Sequence, residues 1–391
     1  ELPLLGIGTA NSGTTGVRNP YNSLQMLPGI SSYASSGTFT LNGLGAGFQL
    51  TETMRIEGQD ATSRLFGNYD YTQMAQPSVD SIEEVAYQTS NYAAEFGQAG
   101  IAVINMTMKS GTNQYHGSVY EYLVNEDLNA GNPFTVTKEF DGKMRPRNRR
   151  SDFGGTLGGP ISIPKLYNGK NRTFFFWSYE QFLEKTNYAF SATVPYPAFL
   201  NGDFSAISPN GTCSLCAAYG IQQSALPATD ALGRPMYANQ IFDPASRATT
   251  TGGLGYANAF VNNQIPVSRF DATTMKVLAL VPKATLPNNL INNYAPNIDG
   301  NRYSAIPSIK VDHNISTKDK VSFYWSRINT ESQISSPLGG ADGLPLAIGA
   351  YRGTFIPNYT MRLNYDRTIS PTLLLHLGAG YFHTHFFDRA P

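Results

Sequence analysis

The chain is short of charge. Asp, Glu, Lys and Arg make up 14% of its 391 residues, against about 25% in an average soluble domain. The 28 basic residues balance the 28 acidic ones, so no overall basic field gathers nucleic acid, and a nucleic-acid partner is not expected. Long apolar runs are missing as well. None approaches the roughly 18 consecutive residues that a membrane-crossing helix needs, so any membrane residence must be as a β-barrel. An initiator Met, a basic n-region and a cleavage site are absent from Glu1-Leu2-Pro3-Leu4-Leu5-Gly6; no signal peptide is read here, and the natural start is expected upstream. Cysteine is limited to Cys213 and Cys216, in a Gly/Ser/Ala-rich stretch that lacks the βαβ setting of a thioredoxin-type site. A small structural disulfide in an oxidising compartment is the expectation, with two free thiols, or redox or metal chemistry, as alternatives.

Aromatic residues reach 12%, and Gly (37) and Pro (24) are plentiful. This favours short strands and turns and argues against an all-helical fold. The length exceeds the roughly 100 to 200 residues of one domain, so two or more domains or one large barrel are expected. The first 110 residues read as a small α+β unit. Helical turns are expected at Tyr21 to Leu27 and Pro77 to Ser81, and strands at Thr38 to Asn42, Thr53 to Glu57, Ile82 to Thr89 and Ile101 to Met108.

From Tyr115 onward the strands lengthen. In Tyr359 to Asp366, one face carries Tyr359, Met361, Leu363 and Tyr365 and the other Thr360, Arg362, Asn364 and Asp366, a strict period of two. Leu373, Leu375, Leu377, Ala379 and Tyr381 repeat it. So do Val321, Phe323 and Trp325, then Ile309 and Val311 against Ser308, Lys310 and Asp312, and Phe175, Trp177 and Tyr179 against Ser178 and Glu180. A sandwich would show the same alternation. Connection lengths discriminate better. Seven strands are expected near 115–125, 151–161, 172–184, 303–313, 319–329, 358–366 and 371–386, and the links between them are alternately long and short. Outer-membrane barrels have that asymmetry, with short periplasmic turns and long external loops. Tyr120, Tyr122, Tyr359, Tyr365 and Tyr381, near strand ends, would suit interfacial girdles. Seven strands cannot close such a barrel, and an open edge in lipid leaves backbone groups unpaired, so further strands are expected beyond Pro391 or from elsewhere.

Ser81-Ile82-Glu83-Glu84-Val85, then Ser90 to Gly97, Ile101 to Asn105 and Lys109-Ser110-Gly111-Thr112-Asn113 resemble the closing segment of the plug domain of TonB-dependent receptors. Tyr115-His116-Gly117-Ser118, Phe153-Gly154-Gly155-Thr156-Leu157-Gly158-Gly159-Pro160 and Thr173-Phe174-Phe175-Phe176 resemble the Oar-like branch. Asn201 to Ser205, Ile265 to Asp271 and Asp312 to Ser316 extend the likeness. Met54-Arg55-Ile56-Glu57-Gly58 stands where such receptors often carry an Asp-Gly turn, with Glu for Asp. The resemblance implies a plug domain over 1–112, followed over 113–391 by antiparallel transmembrane strands of an incomplete barrel, with long external loops near 126–150, 185–302 and 330–357. It implies an outer-membrane receptor that binds a solute, with outer-membrane lipid and a TonB-type energy-coupling complex as partners, the latter engaged through a segment missing from this chain.

Chemistry-bearing motifs are sparse. Gly43 to Gly47 lacks the βαβ frame of a phosphate cradle, so turn flexibility is the simpler reading, and by resemblance it is an outward-pointing plug loop containing Gly45. His383 and His385 share a strand face, but rim histidines are simpler than a metal site. No nucleophile elbow or carboxylate pair appears, so neither catalysis nor a cofactor is expected. The segment Gly58 to Gln76 carries Arg64, Phe66, Tyr69, Asp70 and Tyr71, which could stack on and hydrogen-bond to a solute or pack on the barrel wall. The basic run Lys143 to Arg150, with Arg145 and Arg147, could grip an anionic ligand or form a solvated rim. Two other classes stay open: a secreted soluble all-β binding or adhesion protein, and a surface hydrolase with its site in 185–302.

Overall fold

The computed structural model describes residues 18, 20, 28–33, 38–41, 44–45, 52–62, 76–89, 92–93, 96, 102–128, 145, 147–189, 191–207, 225–335 and 352–389. The chain divides into two compact units: Glu1–Asn187 with Asp299–Ser335 and Arg352–Pro391, and Tyr188–Ile298 with Ser336–Tyr351.

Within the first unit, a four-stranded inner sheet has strands β1 (Glu52–Ile56), β2 (Ile82–Gln88) and β3 (Ala102–Met108), plus the two-residue strand Gln59–Asp60. β3 is central, running parallel to β1 and antiparallel to β2. A central strand covered on both faces reads as a near-continuous apolar run, and Ala102, Val103, Ile104, Met106 and Met108 are all buried. The helical turn expected near Pro77 to Ser81 is a single 3-10 turn, Val79–Ser81. Tyr21 to Leu27 lies outside the described residues. The α part of the expected α+β unit is therefore small among the described residues, whose one α-helix, α1 (Ala272–Leu278), belongs to the other unit.

Seven long strands form the wall: β4 (His116–Val124), β5 (Asn148–Pro160), β6 (Thr173–Ala189), β7 (Asn297–Asn314), β8 (Asp319–Ile334), β9 (Arg352–Ser370) and β10 (Leu373–Thr384). Neighbours in the sheet are neighbours in the chain. The register is antiparallel for β4/β5, β5/β6, β7/β8, β8/β9 and β9/β10. Phe387–Arg389 continues the line of β10 along β9. The connections alternate as expected: 125–147, 190–296 and 335–351 are long, while 161–172, 315–318 and 371–372 are short. The sheet is open among the described residues, with β4 and β10 at its edges.

The wall reverses the usual partition. Ser178, Glu180, Ser304, Ser308, Lys310, Ser326, Thr330 and Thr360 are buried on its inner face. On its outer face Val119, Leu157, Trp177, Phe323, Met361 and Leu363 are exposed. A period of two with apolar residues outward and polar residues inward is how a transmembrane barrel strand is built. One expectation is corrected here. Tyr120 and Tyr122 do not join an outward girdle, because both rings lie against the Arg18 guanidinium, 4.2 and 5.1 Å from it.

The second unit is held differently. Its described part consists of small hairpins, Ala225–Thr229 with Pro235–Tyr237 and Ala248–Thr249 with Gly255–Tyr256, together with turns and α1. Buried asparagines act as its internal struts. Asn293 bonds both the N–H (2.9 Å) and the carbonyl (3.0 Å) of Val194, and Asn263 links Ile241 to Asn239.

Candidate functional site

Among the described residues, two polar clusters join the inner sheet and the segments beside it, residues 18 and 76–80, to the wall, both in the first unit. The first is set up by strand register. Glu180 of β6 lies opposite Gly154 of β5, which lies opposite Tyr120 of β4. A Cβ on Gly154 would sit 2.5 Å from the Tyr120 hydroxyl, so the glycine lets that ring lie across β5 and donate to Glu180 Oε2 at 3.0 Å. The same oxygen accepts from Ser78 Oγ at 2.7 Å and from Arg18 Nη2 at 2.9 Å. Arg18 Nη2 also reaches Asp80 Oδ2 at 2.7 Å, and its Nε lies 3.6 Å from Asp152. Gln76 donates to the Arg18 carbonyl at 3.0 Å. Arg18 is 6% exposed and Glu180 is fully buried. Burial opposes the charge on Arg18, but Glu180 and the hydrogen bond to Asp80 outweigh it and hold the guanidinium above its ordinary pKa.

The second contact is built on the Glu57-Gly58 turn after β1. Glu57 has φ 53° and Gly58 φ 79°, left-handed values that glycine takes without strain and other residues seldom adopt. Glu57 Oε1 accepts from the Met108 N–H at 2.6 Å and from Lys310 Nζ at 2.8 Å, and Lys310 also donates to the Met108 carbonyl at 2.8 Å. Asn364 of β9 donates to the Glu57 carbonyl at 3.3 Å. The Glu in place of the commoner Asp thus bridges its own sheet and the wall. Beside this turn, Met54, Ile56, Ile104, Met106 and Met108 pack with Tyr324 of β8, a wall residue that points inward into an apolar cluster.

Of the residues expected to contact solute, Arg64, Phe66, Tyr69, Asp70 and Tyr71 lie outside the described residues, as do Cys213 and Cys216. Gly45 ends the short strand Leu44–Gly45 and pairs with Thr40. Arg145 donates to the carbonyls of Glu126 (2.8 Å) and Asp127 (3.4 Å), and Arg147 pairs with Asp299 at 3.4 Å. At the start of β5, Arg149 hydrogen-bonds Glu126 and holds its carboxyl down at about 2. The basic run is thus largely engaged within the chain. His383 and His385 are neighbours with ring centroids 6.2 Å apart, and no cluster of three or more metal-ligating side chains occurs among the described residues. Arg18, Glu57 and Lys310 were not expected as contact residues from the sequence. The available signal was a charged residue on the polar face of an alternating strand, which marks Glu180 and Lys310 as facing something other than lipid.

A family model described as outer membrane beta barrel domain matches residues 107–391. The TonB-dependent transporter Oar of Myxococcus xanthus is 36% identical over 93 residues, 23% of this chain and 9% of that protein. Among solved structures, the outer membrane transporter YddB from Escherichia coli matches 99% of this chain and 38% of its own, with TM-score 0.51 and 9% identity. A mutant of the ferric enterobactin receptor PfeA from Pseudomonas aeruginosa matches 98% of this chain and 39% of its own, with TM-score 0.42 and 11% identity. The chain therefore spans well under half the length of these proteins, and the likeness to YddB speaks for the fold.

Proposed function

The chain belongs to the outer membrane beta barrel domain family, with the features of a TonB-dependent receptor, and from that premise we propose that it is the plug and first wall strands of an energised solute importer. In this reading the plug ends near residue 112 and blocks the lumen. Solute binds the loops Gly43 to Thr51 and Gly58 to Gln76, with Arg64, Tyr69 and Tyr71 as leading contacts, and a TonB-type complex in the inner membrane supplies the force that shifts the plug. The protein acts by binding and gating rather than by catalysis.

The observation that carries the proposal is the inner sheet ion-paired to a wall whose inner face is polar and whose outer face is apolar. A soluble adhesion protein would need the opposite partition: Ser178 at 0% exposure and Leu363 at 48% would be a misfolded surface in water. The outward apolar face therefore favours the importer over the secreted binding protein.

Comparing spent medium from wild-type cells and cells lacking the gene by untargeted mass spectrometry tests this reading. The expected result is a solute removed only by the wild type, and only while the inner membrane is energised. Identical depletion in both strains, or depletion indifferent to an uncoupler, contradicts it. With the solute known, alanine at 64, 69 and 71 together is expected to weaken its binding while outer-membrane abundance stays near normal.

A further inference from the structure

The short connection 161–172 carries a small hairpin of its own. Ser162–Ile163 pairs antiparallel with Tyr167–Asn168, which sets Ile163 opposite Tyr167. Its tip is Ile163-Pro164-Lys165-Leu166, closed by the Leu166 N–H donating to the Ile163 carbonyl at 3.0 Å. Proline stands second in this turn and Lys165 third, at φ 64°, the pattern of a type II turn, whose third place favours glycine. The sequence thus holds a cation at a position that strains it. Lys170 follows, and 161–172 contains no acidic residue. Both lysines are exposed, and neither ammonium makes a hydrogen bond or ion pair among the described residues. Beside them Ile163 and Leu166 are 48% and 79% exposed.

The hairpin leans towards the outer face of the wall. Thr173 lies four positions before the outward Trp177 in β6 and shares its face, and His313 of β7 pairs with Val321, two positions before the outward Phe323. Thr173 Oγ1 hydrogen-bonds His313 Nδ1 at 2.7 Å, and the Tyr167 hydroxyl hydrogen-bonds Thr173 Oγ1. Tyr167 therefore closes over the short-turn end of the outer face. Ile163, its cross-strand partner, sits on the same side of the hairpin. An exposed apolar tip rimmed by cations and continuous with an apolar face is the surface of a membrane contact, and lysine stems lie along apolar surface while their ammonium groups reach anionic headgroups. We propose that this hairpin anchors the wall to the periplasmic leaflet, Ile163 and Leu166 entering its acyl border while Lys165 and Lys170 hold the phosphates of anionic phospholipid. The inference rests on the reading that the outer face meets lipid, which makes lipid rather than a soluble protein the neighbour of Ile163.

Spin labels on the full-length protein in bilayers test it, read by collisions with oxygen and with a water-soluble nickel complex. A label at 166 is expected to favour oxygen, and one at 162, on the other side of the hairpin, the nickel complex. Phosphatidylcholine bilayers containing phosphatidylglycerol should draw the label at 166 deeper than phosphatidylcholine alone. K165Q/K170Q should abolish that difference, whereas K276Q/K283Q, with the same charge change in the second unit, should leave it intact. A label at 166 that favours the nickel complex, no effect of phosphatidylglycerol, or an effect that survives K165Q/K170Q overturns the proposal. A photo-crosslinking residue at 166 in living cells should give adducts of lipid mass; a discrete protein adduct overturns it in favour of a protein partner. Labels at 361 and 363 separate this from its premise: if they favour oxygen while 166 does not, the anchor alone fails, and if they too favour the nickel complex, the membrane reading itself fails.

Discussion

The inner sheet and the wall obey opposite burial patterns within one compact unit. In the inner sheet Met54, Ile56, Ile104 and Met106 are at most 1% exposed, as in any water-soluble core. In the wall the fully hidden side chains include Ser178, Glu180 and Ser326, while Val119 is 92% and Leu377 55% exposed. The physics is the same in both, since apolar surface leaves water wherever it can. What differs is the solvent outside. A wall that meets hydrocarbon turns its apolar residues out and keeps its polar ones for the lumen. Each polar residue turned in then needs a partner, and the inner sheet and the segments beside it supply several through Arg18, Ser78 and Glu57.

That contrast can be broken at several points. The largest expected effect is at Glu180, which holds Arg18, Ser78 and Tyr120 on one oxygen. Glu180→Ala leaves a buried cation short of its partner and is expected to cost about 3 to 5 kcal/mol. Hydrogen exchange should quicken first around Val79–Ser81; unchanged protection there would show that the contact is dispensable. In the inner core, Ile104→Ala is expected to cost about 2 to 5 kcal/mol, measured by denaturant unfolding. On the outer face, Leu363→Arg should cost about 2 to 4 kcal/mol if the residue sits near the bilayer midplane, whereas the same change at an ordinary water-exposed position would be nearly neutral. The smallest effect concerns the second unit. The hydrogen bond from Arg269 holds Asp243 below the usual carboxylate range, and the Thr274 N–H does the same for Asp271. Because these folded-state values are depressed, the stability they contribute is complete above the unfolded carboxylate value near about 4 and is lost as pH falls through the lower folded values. Proteolysis within 225–298 should therefore rise in acid, and no rise below that range would count against these caps.

Much of the wall was legible in the sequence. The strands expected near 115–125, 151–161 and 319–329 correspond to His116–Val124, Asn148–Pro160 and Asp319–Ile334, and alternating link lengths pointed to the chain-order sheet. The larger misses fall at the long-loop ends. β6 runs on to Ala189, β7 begins at Asn297 and β9 at Arg352. In Asn297-Ile298-Asp299-Gly300-Asn301-Arg302 the apolar alternation fades while the hydrogen-bond ladder continues, so a reading based on hydrophobic period stops early. The site was less legible. Lys310 and Glu57 are 253 positions apart, and Arg18 and Glu180 are 162 apart. No local pattern encodes such a pairing. The Glu57-Gly58 turn was visible as a motif, but its grip on Lys310 needed the fold.

The central claim is that the outward face of the wall meets hydrocarbon. Spin labels placed one at a time at Thr360, Met361, Arg362 and Leu363 of the full-length protein in bilayers test it through their collisions with oxygen and with a water-soluble nickel complex. The account predicts that 361 and 363 favour oxygen, while 360 and 362 are shielded from it. Labels at 361 and 363 that favour the nickel complex would contradict it.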